Sequence, residues 1–266
     1  MSEQDIRSVD ENKERVSDEI VSESTTTKVL NGISHIPGHV KNAVLYVPRY
    51  FGYFNETTDA ISIIDNHLDT MDIILCNGQN YWFSSVVEYA TWSKFSHIGL
   101  VLKSPTWLHP ELTGNYFLES GVEKFPDAVD HKMKFGVQIT DLEKMIKSYT
   151  GTLYFRKIIS IPLRENPSYY QEKLKKIHKI IHNKPYDYSP IDLLEAQIRI
   201  RMRNANRTDS FFCSALVAFI YTQLGFLPAD TEWDLVLPKD FVQGYNIEDI
   251  LEKTGFASLG PMVRIK

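Results

Sequence analysis

Apolar residues fall along the chain in runs that predict most of its elements. Met71-Asp72-Ile73-Ile74-Leu75-Cys76-Asn77-Gly78 reads as a buried strand ending in a turn, since a short continuous apolar run bounded by turn residues suits a covered strand. Phe95 to Leu102 is a second strand, with His97 near its start, and Tyr116 to Ser120 is a third, closed by Gly121. The stretch 105–114 between them is a loop, as is 123–136. Val137 to Ile139 is a short extended piece, Thr152 to Ile161 is a fourth strand rich in β-formers, and Phe256 to Ile265 adds a last one.

Helical spacing appears in other stretches. Residues 82–93 carry Trp82, Val86, Tyr89 and Ala90 on one face. Thr140, with Glu143 three residues later, predicts the cap of a short helix over 141–148. Ser168 and Gln171 form a capping-box pattern that opens a helix with Tyr170, Leu174, Ile177 and Ile181 on its buried face. Ser189-Pro190 opens another, running to about Met202. From Cys213 to Leu224 no helix breaker occurs; Asp209 and Ser210 are both good N-cap residues, and Gly225 stands where a C-terminal stop belongs. Pro228, Trp233, Pro238 and Gly244 mark a loop-rich stretch, and a final short helix lies near 247–253. No internal repeat is visible.

Composition adds domain boundaries. Residues 1–27 hold eight acidic and three basic side chains and no aromatic, and they account for the whole net charge of −5. They read as a disordered acidic tail. Residues 28–70, broken by Pro37 and Pro48, form an N-terminal helical extension of two short helices, and 71–266 is the main domain. Tyr50, Phe51, Tyr53 and Phe54 either pack as core or allow peripheral membrane contact through 38–54. Arg199, Arg201, Arg203 and Arg207 form a solvated helix face or an anion or phospholipid-headgroup site. The body outside the tail is neutral, which argues against nucleic acid as a partner. Two cysteines make no disulfide framework. No secretory signal and no run of about 18 apolar residues is visible, so an intracellular, cytoplasmic protein is expected. No metal and no cofactor is expected, and oligomeric state is open.

The candidate chemistry centres on Cys213. A thiol in the first turn of a helix meets unpaired N–H groups and the positive end of the helix dipole, which favour the thiolate. The alternative is a small buried core residue. A cysteine nucleophile also needs a base within hydrogen-bond reach, a group that orients the base, and donors for the oxyanion. His97 at a strand start is a candidate base. Glu119 on the next strand lies beside it if the two strands pair antiparallel. The Cys213 N–H is one oxyanion donor. Cys76, inside an apolar run, reads as packing.

Three strings occur in order: Phe95-Ser96-His97-Ile98-Gly99-Leu100-Val101, Leu118-Glu119-Ser120-Gly121-Val122 and Phe212-Cys213-Ser214-Ala215-Leu216-Val217. They resemble the motifs of the circularly permuted NlpC-type papain-like superfamily, which includes YiiX-like bacterial proteins, a poxvirus branch and the lecithin:retinol acyltransferases. The resemblance covers about residues 70–245. It implies an α+β, permuted papain-like fold with an antiparallel sheet packed against the nucleophile helix. It also implies a cysteine-dependent hydrolase or acyltransferase acting on a peptide amide or an acyl ester of a small molecule or lipid, through a thioester. Cys213 is then the nucleophile, His97 the base and Glu119 the orienting group. Pro185-Tyr186-Asp187-Tyr188 resembles a segment whose Tyr lines the active site, so Tyr186 is implied as an oxyanion or substrate contact. The other reading is a non-catalytic binding or structural module using the same cleft, for example in a virion or membrane-associated assembly; a viral origin with virion packaging is open.

Overall fold

The computed structural model describes residues 67–78, 94–122, 124–187 and 208–266. The tail 1–27, the extension through residue 66, the helix expected over 82–93, and the one expected from 189 to 202 with its arginines lie outside the described residues, as does the whole aromatic and membrane-contact reading of 38–54.

Strands β1 (Ile73–Asn77), β2 (His97–Lys103), β3 (Asn115–Val122), β4 (Phe135–Asp141), β5 (Thr152–Arg156) and β8 (Val263–Arg264) form one sheet in the order β4-β3-β2-β1-β5-β8. Every neighbouring pair is antiparallel. A separate ribbon joins β6 (Ile158–Ile159) to β7 (Ser258–Leu259). The helices are α1 (Leu142–Ser148), α2 (Ile161–Glu165), α3 (Pro167–Ile181), α4 (Cys213–Leu224) and α5 (Asn246–Thr254). The class is therefore α+β with an antiparallel sheet.

The strands read as continuous apolar runs because both faces of the sheet are covered. Ile73, Leu75, Ile98, Leu100, Leu102 and Leu118 join a core built on α3 and α4. Their alternating neighbours Ile74, Cys76, Val101 and Phe117 join a second core with Leu142, Met145 and Ile146 of α1. Leu68 also belongs to this second core. Every residue of α4 except Gln223 is buried, and Leu216, Val217, Ala218 and Ile220 are fully so. At about 1.5–3 kcal/mol for each large apolar side chain, this burial holds the helix with little help from its caps.

Several local expectations change. Gly121 does not close β3; it lies inside the strand, paired with Gly136. The 137–139 piece is a full seven-residue strand. Asp141, not Thr140, caps α1, accepting the Lys144 N–H at 2.8 Å; Asp141 is the last residue of β4, and the helix begins directly after it. The Ser168–Gln171 box is not formed: α3 starts two residues earlier than that box requires, at Pro167 after Asn166, with no side-chain cap. Pro at the first helical position has its φ already set for the helix. The fourth strand breaks at Lys157, and α2 follows, capped by Ser160 through the Leu163 N–H. Lys157 leaves the ladder because its ammonium reaches Asp72 (3.2 Å), Asp69 (2.8 Å) and the His67 carbonyl (2.8 Å). Asp72 is fully buried and also accepts the N–H groups of Asp69 and Ile158. Burial raises its carboxyl to about 7, against the opposing pull of Lys157 and these donors.

Candidate active site

The antiparallel register places the site. Glu119 sits on β3 beside β2, one residue past Leu118, which pairs with Leu100. His97 is the first residue of β2 and pairs with Cys76. His97 Nε2 and Glu119 Oε2 lie 2.5 Å apart, both largely shielded, with side-chain exposures of 22% and 13%. The imidazole also meets the Phe117 ring edge-on at 6.2 Å between centroids. Gly121 makes room for the pair. A Cβ there would stand 3.2 Å from Glu119 Oε2 and 3.3 Å from His97 Cε1. Gly99 serves the strand behind them, since a Cβ there would sit 2.4 Å from the Phe117 ring and 2.8 Å from the Leu118 carbonyl.

Cys213 opens α4, as its sequence suggests, and Gly225 ends the helix in the left-handed conformation at φ 84. The N-cap position is Phe212, with no side-chain cap; Ser210 turns instead to the Asp187 carboxylate at 3.0 Å. The helix start is fixed by other bonds. Ser214 Oγ donates to the Val236 carbonyl at 2.7 Å. Ser120 Oγ, adjacent to Glu119 in sequence, donates to the Phe211 carbonyl at 2.6 Å. That bond ties the strand carrying the carboxylate to the residue two before the thiol. Phe211 also accepts the Asp187 N–H and donates its own to the Pro185 carbonyl.

Cys213 is 3% exposed and lies close enough to His97 to perturb the imidazole. With Nε2 held by Glu119, Nδ1 is the ring atom left for the sulfur. Burial alone would lower the imidazole pKa. The Cys213 charge, the hydrogen bonds to Cys213 and Glu119, and the Glu119 charge overcome it and raise the value to about 10. The imidazolium is therefore the form this site holds near neutral pH. Cys76 differs: burial, then the charges of Glu119 and Cys213, push its thiol well above the ordinary value, which disfavours the thiolate.

Tyr186 is 8% exposed, bridges in parallel to Phe211, and packs its ring at a tilt against Phe135 at 5.5 Å between centroids. Its backbone thus helps set the entry to α4. Sequence reasoning missed Ser120 and Gln138. Gln138 pairs directly with Glu119 across the β3–β4 ladder, and its Nε2 donates to Glu119 Oε1 at 3.2 Å. Neither role is visible without the strand register.

Among the described residues, no group of three or more His, Cys, Asp or Glu side chains is placed to hold a metal ion, and no helix is long and apolar enough to cross a membrane. No protein-family model matches the chain, and no curated protein matches it. Among solved structures it is similar to the metalloprotein yiiX from Escherichia coli O157:H7, at 21% identity and a TM-score of 0.37, over 59% of this chain and 66%, just under two thirds, of that one.

Proposed function

We propose that the protein is a cysteine-dependent hydrolase or acyltransferase of permuted papain-like type, with Cys213 as nucleophile, His97 as base and acid, and Glu119 as the group that orients His97. The observation that carries this reading is one imidazole with a carboxylate at 2.5 Å and a neighbouring thiol at a helix start. In the first half-reaction the Cys213 thiolate attacks the acyl carbon, and a carbon–sulfur bond forms. The amine or alcohol leaves with the proton of the His97 imidazolium. In the second, neutral His97 takes a proton from water or an acceptor alcohol or amine, whose oxygen or nitrogen attacks the thioester, and Cys213 leaves as thiolate. Glu119 accepts the hydrogen bond from Nε2 and so turns Nδ1 toward the sulfur. The N-terminal dipole of α4 and the Cys213 N–H favour the developing oxyanion. Tyr186 stands as a further oxyanion or substrate contact.

The test is intact-mass analysis after incubation with phosphatidylcholine vesicles and, separately, with a mixed peptide digest. An acyl mass increment mapped to Cys213 and missing from Cys213→Ala is the expected result, and the increment itself identifies the acyl group. No increment from either source, with vesicles or peptides retained unmodified by the folded protein, would instead favour a binding module.

A further inference from the structure

We infer that Gln138 is a positioning residue for the proposed triad: its amide N–H fixes Glu119 so that one carboxylate oxygen, and always the same one, faces His97. This inference rests on the triad reading and extends it by one residue. Gln138 lies on β4, directly across from Glu119 in the antiparallel ladder. Residues directly opposite in such a pair project to the same face and come within side-chain reach. The Gln138 Nε2 to Glu119 Oε1 distance is 3.2 Å, while Oε2 of the same carboxylate takes His97 Nε2 at 2.5 Å. The two oxygens are thus divided between two donors. A carboxylate on a freely turning side chain could offer either oxygen or swing away from the ring, and the bond from Gln138 removes that freedom.

The rest of the Gln138 side chain shows that this bond is specific. An ionised carboxylate only accepts, so the amide nitrogen must face Glu119 and the amide oxygen must face elsewhere. That oxygen is buried and accepts no hydrogen bond among the described residues. Gln138 is 1% exposed, between Val137 and Ile139, which are buried in the core on α3 and α4. A buried unpaired amide oxygen lowers stability, and an apolar side chain of similar size at this position would avoid that loss. What the apolar side chain lacks is a donor to Glu119. The order of groups therefore runs Gln138, Glu119, His97, Cys213, from β4 through β3 and β2 to the start of α4.

The test uses the full chain and three variants: Gln138→Leu, which removes the donor and keeps the bulk; Gln138→Glu, which keeps the shape; and His97→Ala. The readout is the rate of Cys213 alkylation by iodoacetamide, mapped by mass, between about pH 5 and 9, a range that brackets carboxyl and imidazole titration. His97→Ala reports on the triad alone. If it alkylates Cys213 like wild type, the triad reading fails, and this inference with it. If His97→Ala is slow, Gln138→Leu is expected to lose roughly 10- to 100-fold, the size seen when an outer partner of a functional group is removed. Gln138→Glu supplies the readout that a structural role would not move. Two facing carboxylates share one proton when the pH is low enough, and that proton restores a donor to Glu119. Its rate relative to wild type should therefore rise as the pH falls. A triad that responds to His97→Ala, while Gln138→Leu and Gln138→Glu both keep the wild-type rate and profile, overturns the assignment and leaves the triad standing. Should Gln138→Leu fail to fold, the pH dependence of Gln138→Glu decides alone: a flat ratio overturns the assignment.

Discussion

At the scale of single residues, the proposed mechanism divides the site into groups that react and groups that hold them. Cys213→Ala removes the atom that forms the covalent bond, so turnover on any acyl substrate found by the mass assay should be abolished. Glu119→Gln keeps the shape, but its amide can turn a donor toward His97; the expected loss is partial, roughly 10²–10⁴-fold in kcat, with the fold unchanged by circular dichroism. Gly121→Ala tests the room left for the pair. Its methyl would press on Glu119 Oε2 and His97 Cε1, two side-chain atoms that can yield, so stability should fall by about 1 kcal/mol while Cys213 alkylation slows. Gly99→Ala meets a backbone carbonyl and an aromatic ring, which cannot yield, and should cost about 3 kcal/mol by urea unfolding. His97 has a folded pKa raised to about 10. Its charged form therefore contributes stability fully below about pH 6.5, and that contribution is lost as pH rises through about 10. The gap in urea midpoint between wild type and His97→Ala should be wide near pH 6 and narrow above about pH 10. The positions of His97 at the start of β2, Glu119 on β3 and Cys213 at the start of α4 were legible in the sequence, because each stands in a short string within or beside a predicted element. Gln138 and Ser120 were not, because their meaning depends on which residue faces them across the sheet.

At the scale of elements, continuous apolar runs located β1, β2 and β3, and helical spacing located the buried face of α3, whose four expected residues are all buried. The body of α4 was equally plain. Element ends were less so, since a capping residue is chosen by where the preceding strand releases the chain. Thr140 and Asp141 are both good caps by type and both are paired in the ladder, but Asp141 is the last residue of the strand and directly precedes the helix. Asp141→Ala should lower stability by about 1 kcal/mol in thermal unfolding. The break between β5 and β6 was invisible for a different reason: Lys157 answers to Asp69 and Asp72, distant in the chain. That network gives a second pH dependence. Asp72 has a folded pKa near 7, above its unfolded value near 3.9, so the folded state holds more protons between these limits. Its contribution must fall as pH rises from about 4 to about 7 and level off above. In Asp72→Asn that downward slope should vanish, as read from urea unfolding at several pH values.

At the scale of the whole molecule, the fold assembles one site from chain segments that are far apart. Adjacent antiparallel strands bring His97, Glu119 and Gln138 side by side. The bond from Ser120 to the Phe211 carbonyl, and the Tyr186–Phe211 bridge, then hold the start of α4 against that row. The sheet does not merely support the site, because its register decides which residue can orient which. The same register separates the two cysteines: Cys76 faces His97 from inside an apolar strand, while Cys213 reaches it from a helix start. The central claim is that Cys213 is an activated thiol and that His97 activates it. Native-state iodoacetamide labelling near neutral pH, with both cysteines mapped by mass in wild type and in His97→Ala, tests this most directly. The expected result is labelling of Cys213 well ahead of Cys76 in wild type, and a marked slowing at Cys213 alone in His97→Ala. Labelling of Cys76 first, or a Cys213 rate indifferent to His97→Ala, would contradict it.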